Sequence, residues 1–482
     1  MLWSGATPAG AQGNGATSPP PRALAELTSQ MAALLADPSL DGVVVSAAVR
    51  SAETGELLYE HGGRKRMPVA SPQKLLTSAA ALADLGPDFR FRTTVLSRAA
   101  PVDGVVDGDL YLRGTGDPTL QPARLDELAA QVSSRGVTQV RGAVVADDTW
   151  FDSVRLGMDW SQQDENFAYA APVSALSVAP DPDFNTGSVQ VDIAPGASIG
   201  APAQLGLTPP TSSVQLDNQL TTGPPGSARQ LSADRVHGTN RIVVAGNVPL
   251  DGRPAHPLRS VLDPTEYAAD VFATALGRHG VHILGSPRHS ATPPAAMELA
   301  GLDSMPLREL LLPFLKLSNN EIAEVLVKAM GRHDADEGSW QAGLQVVRRY
   351  VAAHGVDPAG LQFVDGSGLS TADLLSPDDL TAFLVAVQDE AWFEPWYSAL
   401  PIAGQPEHLV GGTLADRMVG TPAAGNLHGK TGTLTTSSAL AGYVDNAAGG
   451  RLVFSIVESG FIGPPPKGVE DQFAVTLAAW AY

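Results

Sequence analysis

The sequence predicts an α+β protein in which an antiparallel sheet is flanked by helices and a large β-rich region is inserted. Three observations carry this. Hairpin-like runs stand near both ends, at 42–60 and 439–457. Helical periodicity dominates residues 307–389, whereas short β runs broken by Gly, Pro and Asp fill 91–288. A chain of 482 residues also exceeds one ordinary core, so two or three domains are expected.

Taken in order, residues 1–22 are rich in Ala, Gly, Ser, Thr and Pro and read as a flexible leader or linker. They lack the basic start and apolar core of an intact signal peptide. From Ala23 to Asp37, Leu24, Leu27, Met31, Leu34 and Leu35 recur at helical spacing. Two strand-like runs then flank a polar turn holding Gly55. Pro72 opens a run of helix formers that Gly86-Pro87 ends, which sets Ser71 and Lys74 at a helix start on one face. In the insertion, strands are expected at Thr93–Leu96, Asp109–Leu112, Ala143–Ala146, Ser188–Ile193 and Arg241–Ala245, with Gly206–Pro225 a surface loop. Helices return at Leu307–Leu317, Asn320–Met330, Ser339–His354 and Pro377–Asp389, then strands at Ala439–Asp445 and Arg451–Val457, and a closing helix from Val469 to Ala481. The expected division is a leader (1–22), a discontinuous domain (23–90 and 289–482) and one or two inserted β-rich domains (91–288).

Composition removes several functions. With 44% apolar and 17% charged residues the chain is globular. A net charge of −20 argues against nucleic acid or an anionic membrane as partner. No run of eighteen apolar residues suggests a transmembrane segment. The absence of cysteine excludes disulfides and thiolate zinc sites, no H-E-x-x-H pair occurs, and neither metal nor cofactor is called for. Lysine is scarce: Lys65, Lys74, Lys316, Lys328, Lys430 and Lys467 stand against 25 arginines. Only lysine of the two can give up its proton and act as a base, so each merits attention.

Three short segments stand out: Ser71-Pro-Gln-Lys74 opening a helix, Ser318-Asn-Asn320 preceding one, and Lys430-Thr-Gly-Thr433 entering a strand. Singly each has an ordinary reading. Ser71 could merely cap its helix, Ser318 with Glu321 fits a capping box, and 429–432 reads as a turn. Together, in this order, they resemble the S-x-x-K, S-x-N and K-T-G motifs of penicillin-binding serine acyltransferases, with Asn319 in place of the aspartate of S-D-N. The resemblance is closest to the class C low-molecular-mass penicillin-binding proteins, the D-alanyl-D-alanine carboxypeptidase/endopeptidase family, which carry a long insertion between the first two motifs. Segments 108–120, 171–177, 365–370 and 400–404 look like that family too, and the likeness runs from about residue 23 to the C-terminus.

The resemblance implies a penicillin-binding/β-lactamase-like transpeptidase fold and a serine DD-peptidase. Its substrates would be peptidoglycan stem peptides, cut at D-Ala–D-Ala or at a D-Ala–diaminopimelate cross-link, outside the cytoplasm, and β-lactams would acylate it. Ser71 would be the nucleophile, Lys74 its base, Ser318 a proton relay and Asn320 an orienting group. Lys430 would supply positive charge and hold the terminal carboxylate, with Thr431, Gly432 and Thr433 binding substrate beside it. Trp160, Asp164 and Tyr169 would lie near the peptide side chain. Family members often carry arginine where this chain has Thr371. Alternatives are a serine β-lactamase or esterase on the same scaffold, or a wall-binding protein that has lost catalysis.

Overall fold

Both faces of the central sheet are buried, and the alternation of its strands shows why. In Ser437–Asp445, Ala439, Ala441 and Tyr443 enter one core while Leu440 and Val444 enter another, as the two-residue period of a strand requires. The structure, a computed structural model, describes residues 19–482, so most of the expected leader lies outside the described residues.

The sheet has five antiparallel strands in the order His428–Thr433, Ser437–Asp445, Arg451–Ser459, Val44–Ser51, Leu57–His61. The N-terminal hairpin therefore lies directly against the C-terminal one, with Val44 opposite Ser459 and Ser51 opposite Leu452. One face is covered by Pro21–Leu34, through Ala23, Leu27 and Met31, and by Lys467–Ala479, through Phe473, Ala474 and Leu477. The first helix starts at Pro21 rather than Ala23, because proline's fixed φ suits a first helical position. The other face carries Gln73–Asp84, Asn320–Ala335, Trp340–Ala353 and Pro377–Ala386. Every residue from Gln73 to Leu82 is buried, so the helix that follows Ser71 is packed all round.

The inserted region has a core of its own, including Leu110, Val144, Leu220, Ile242 and Phe272. Its largest sheet orders Arg288–His289, Val144–Asp147, Leu110–Gly114, Arg92–Ser97 and Met297–Asp303. Two features depart from expectation. Gly206–Pro225 is not a loop: Gln204–Thr208 and Gln215–Gly223 are strands, the second parallel to Arg241–Pro249. Gln215, Asp217 and Asn218 mask it because much of that strand faces solvent, so its polar residues break the apolar alternation. The region also contains two helices, Pro122–Ser134 and Pro264–Arg278. The second carries a plain start signal, Asp263 Oδ1 accepting from the amides of Thr265 (3.0 Å) and Glu266 (2.9 Å) ahead of Pro264 at the first turn.

Candidate active site

The chain reaches Ser71 through a strained residue. Ala70 adopts φ 54°, a left-handed conformation that L-residues avoid, immediately before the helix. Two glycines let neighbours close in on it. A Cβ on Gly368 would lie 2.0 Å from the Ala70 carbonyl, and one on Gly432 would lie 2.8 Å from Ala70 Cβ. The turn is thus clamped from both sides, and Ser71 projects half-buried into a cleft of about 420 Å3 that it lines with Ser318, Asn320, Thr431, Gly432 and Thr433.

Lys74, one turn along, is wholly buried. Its Nζ lies 2.8 Å from Ser71 Oγ, 2.7 Å from Asn320 Oδ1 and 2.8 Å from the Ser367 carbonyl. Burial pulls its pKa down to about 7, against the opposing pull of Glu324, Asp365 and Asp373. Desolvation, and not the neighbouring ammonium of Lys430, is the cause that makes this lysine a usable base near neutral pH.

The loop that carries the Ser367 carbonyl is held through its amides by two buried acids that the sequence did not single out. Glu324 accepts from the amides of Gly366 (2.8 Å) and Ser367 (2.9 Å) and from the Trp340 indole (2.7 Å). Burial, then the charge of Asp365, raises Glu324 to about 7. Asp365 accepts from the amides of Ser367 (3.0 Å), Gly368 (2.7 Å) and Ser370 (2.7 Å) and from the Trp160 indole (2.9 Å). An Asp365→Asn variant points an amide NH2 at donors that need an acceptor. It is expected to lose about 1–3 kcal/mol of stability, and an unchanged urea midpoint would contradict this.

Ser318 also sits at a positive φ, 59°, and the helix after it is capped by Asn319, whose side chain accepts from Ile322 N at 3.1 Å. Ser318 is therefore not the cap. Its Oγ instead accepts from Lys430 Nζ at 2.7 Å. Lys430 is buried and also donates to the Thr431 carbonyl at 2.8 Å. Burial, then the charges of Lys74 and Lys467, hold Lys430 well below the ordinary lysine value. Asn320 joins the two halves of the site, its Nδ2 donating to the Tyr169 carbonyl of the insertion at 2.7 Å.

Strand register sets the cleft wall. Leu434 N donates to Ser437 O at 2.7 Å, so in the antiparallel alternation Gly432 pairs toward Ala439 while Thr431 and Thr433 turn their amides to the open edge. Thr431 Oγ1 donates to Thr413 Oγ1 at 2.8 Å. His428 stacks on Tyr397 at 4.2 Å, and burial lowers it to about 4, which keeps it neutral.

Of the three residues expected near the peptide side chain, two line the cleft and one does not. Asp164 and Tyr169 face it together, the phenol donating to Asp164 Oδ1 at 2.7 Å. Trp160 lies behind it, its ring edge-on to Trp340 at 6.1 Å and its N–H spent on Asp365. Thr371 is on the cleft wall.

The chain is 44% identical over 484 residues to a D-alanyl-D-alanine carboxypeptidase from Actinomadura sp., covering 100% of this chain and 88% of that protein. It is 28% identical to D-alanyl-D-alanine carboxypeptidase DacB of Haemophilus influenzae, over 86% of this chain and 85% of that one. The crystal structure of penicillin binding protein 4 (dacB) from Haemophilus influenzae superposes with a TM-score of 0.80 at 24% identity, covering 94% of this chain and 98% of that chain. With residues 27–480 matching its sequence pattern, the chain belongs to the D-Ala-D-Ala carboxypeptidase 3 (S13) family and is a serine peptidase of the penicillin-binding kind.

Proposed function

We propose that the enzyme cleaves the D-Ala–D-Ala bond of peptidoglycan stem peptides through an acyl-enzyme on Ser71. The observation that carries this is the contact of a buried lysine amine, Lys74 Nζ, with Ser71 Oγ at 2.8 Å. Ser71 Oγ attacks the carbonyl while Lys74, neutral at the start, accepts its proton. The amides of Ser71 and Thr433 stabilise the oxyanion. Ser318 hands a proton to the departing amine, and water then releases the acyl group.

Lys430 receives the terminal carboxylate. An anion beside Lys430 favours its charged form, while burial keeps Lys74 available without its proton. Asn320 fixes Lys74, and Thr431 and Thr433 flank the carboxylate. Asp164, with one oxygen held by Tyr169, offers the other to an amino group on the peptide side chain. Such a substrate places the enzyme outside the cytoplasm, and no helix among the described residues is long and apolar enough to cross a membrane. The division into a discontinuous peptidase domain and an insertion is supported by the separate core of the inserted region, which runs beyond the expected end at 288 to take in Leu299 and Ala300 of the strand Met297–Asp303.

The test uses labelled penicillin and stem peptides ending in D-Ala–D-Ala. Expected are an adduct on the proteolytic fragment bearing Ser71 and release of D-alanine. An adduct elsewhere removes Ser71 from the mechanism. Rapid penicillin turnover without D-alanine release makes the protein a β-lactamase.

A further inference from the structure

Lys467 opens the C-terminal helix, where the helix's partial positive charge makes a cation unfavourable. Three contacts hold it there. Its Nζ donates to Ser438 Oγ at 2.7 Å, to the Gly432 carbonyl at 3.0 Å and to Glu470 Oε1 at 3.3 Å. Ser438 spends its own proton on Glu470, so its oxygen is free to accept. Three acceptors around one nitrogen match the three donors of an ammonium.

Burial and the charge of Arg417 lower Lys467 from the ordinary lysine value, and Glu470 opposes them by favouring the ammonium. Glu470 is fully buried and is also held by Arg417, at 2.8 Å, which reaches Asp471 as well. Glu458, on the neighbouring strand, has neither carboxyl oxygen hydrogen-bonded among the described residues. Burial, then Glu470, raises it to about 9, so it is neutral and leaves Glu470 as the counter-charge.

What makes Lys467 more than a structural ion pair is the atom it touches. The Gly432 carbonyl and the Thr433 amide belong to one peptide unit, and in a trans peptide the C=O and N–H point in opposite directions. A cation on the carbonyl therefore stands behind the N–H that faces the cleft. Ser438, its second partner, lies directly opposite Thr433 across the strand pair. We propose that Lys467 is a positioning residue whose ammonium holds and polarises the Gly432–Thr433 peptide, strengthening Thr433 N–H as a donor to the oxyanion. This rests on the assignment of Thr433 N–H as an oxyanion donor made above.

The experiment compares wild type, Lys467→Met and Lys467→Arg by penicillin acylation rate and by the infrared stretch of the acyl-enzyme ester carbonyl. Lys467→Met is expected to acylate about tenfold more slowly, less than the loss of a whole oxyanion donor, with the carbonyl band at higher frequency. Lys467→Arg, which keeps the charge, is expected to restore the band toward wild type. A Lys467→Met band that coincides with wild type overturns the proposal whatever the rate, because a purely structural loss would not move it. If Lys467→Met does not fold, Lys467→Gln, a neutral donor, is judged by the same band. The wild-type adduct after denaturation is the reference, and Ser71→Ala must show no adduct. No difference between native and denatured adducts refutes the oxyanion assignment itself, an outcome distinct from failure of Lys467 alone.

Discussion

Lys74→Arg is expected to slow acylation of Ser71 by about 10²–10⁴-fold, the span general-base catalysis contributes. Arginine holds its proton in any protein environment, so it can occupy the position and still never accept one from Ser71. The wild-type profile should show the same dependence from the other direction. Burial sets Lys74 at about 7, and the neutral amine is the active form, so acylation rises as pH passes upward through that value and falls below it. Lys74→Met, which has no titrating amine, should lose this limb as well as the rate. Pre-steady-state acylation by a chromogenic β-lactam across that range checks both. A retained rate in Lys74→Arg, or an unaltered limb in Lys74→Met, would assign the base elsewhere.

Gly432→Ala should be nearly as damaging although it adds a single methyl. That Cβ would stand 2.6 Å from Pro72 Cδ, 2.8 Å from Ala70 Cβ and 2.8 Å from the Val69 carbonyl. All three atoms belong to the segment that delivers Ser71, and none is the free end of a flexible side chain. The strand His428–Thr433 must therefore shift away from the nucleophile and carry the Thr433 amide with it. A displacement of this kind costs about 10²-fold in rate, and complete loss of one oxyanion donor about 10²–10³-fold. The measurement is acylation rate beside a thermal melt; an intact rate in a folded variant would mean that the two walls are less closely joined than these contacts indicate.

The proposed catalytic groups were legible because each is chemically conspicuous. A chain with six lysines that sets two of them in S-x-x-K and K-T-G contexts leaves few readings open. Their support was not. Glu324 lies one helical turn beyond Asn320, where a glutamate ordinarily reads as a solvated face; only the fold reveals that it is buried under the Gly366 and Ser367 amides. Asp365 lay in a segment that resembled the family without an evident task, because its acceptor role depends on how residues 366–370 curl around it. Ser318 followed by Glu321 obeys the capping pattern, yet Asn319 takes that place and Ser318 is left for Lys430. Trp160 was drawn toward substrate by family likeness, whereas its N–H belongs to Asp365. The inserted helices carried readable start signals and were missed because short β runs dominate their surroundings. The strand Gln215–Gly223 pairs with Arg241–Pro249, a partner that local pattern does not point to.

The strand His428–Thr433 ends the sheet, and a bare sheet margin normally invites a second copy of the protein to stack on. Here the margin is only six residues long. Its outward amide at Gly429 is already taken by the Pro401 carbonyl at 3.0 Å. What remains are the amides of Thr431 and Thr433, which face the cleft lined by Ser71, Ser318 and Asn320. Under the proposed function, the same two peptide groups that would nucleate self-association on an open surface serve as the docking rail for a short guest peptide. Its phase along that rail decides which of its carbonyls meets Ser71.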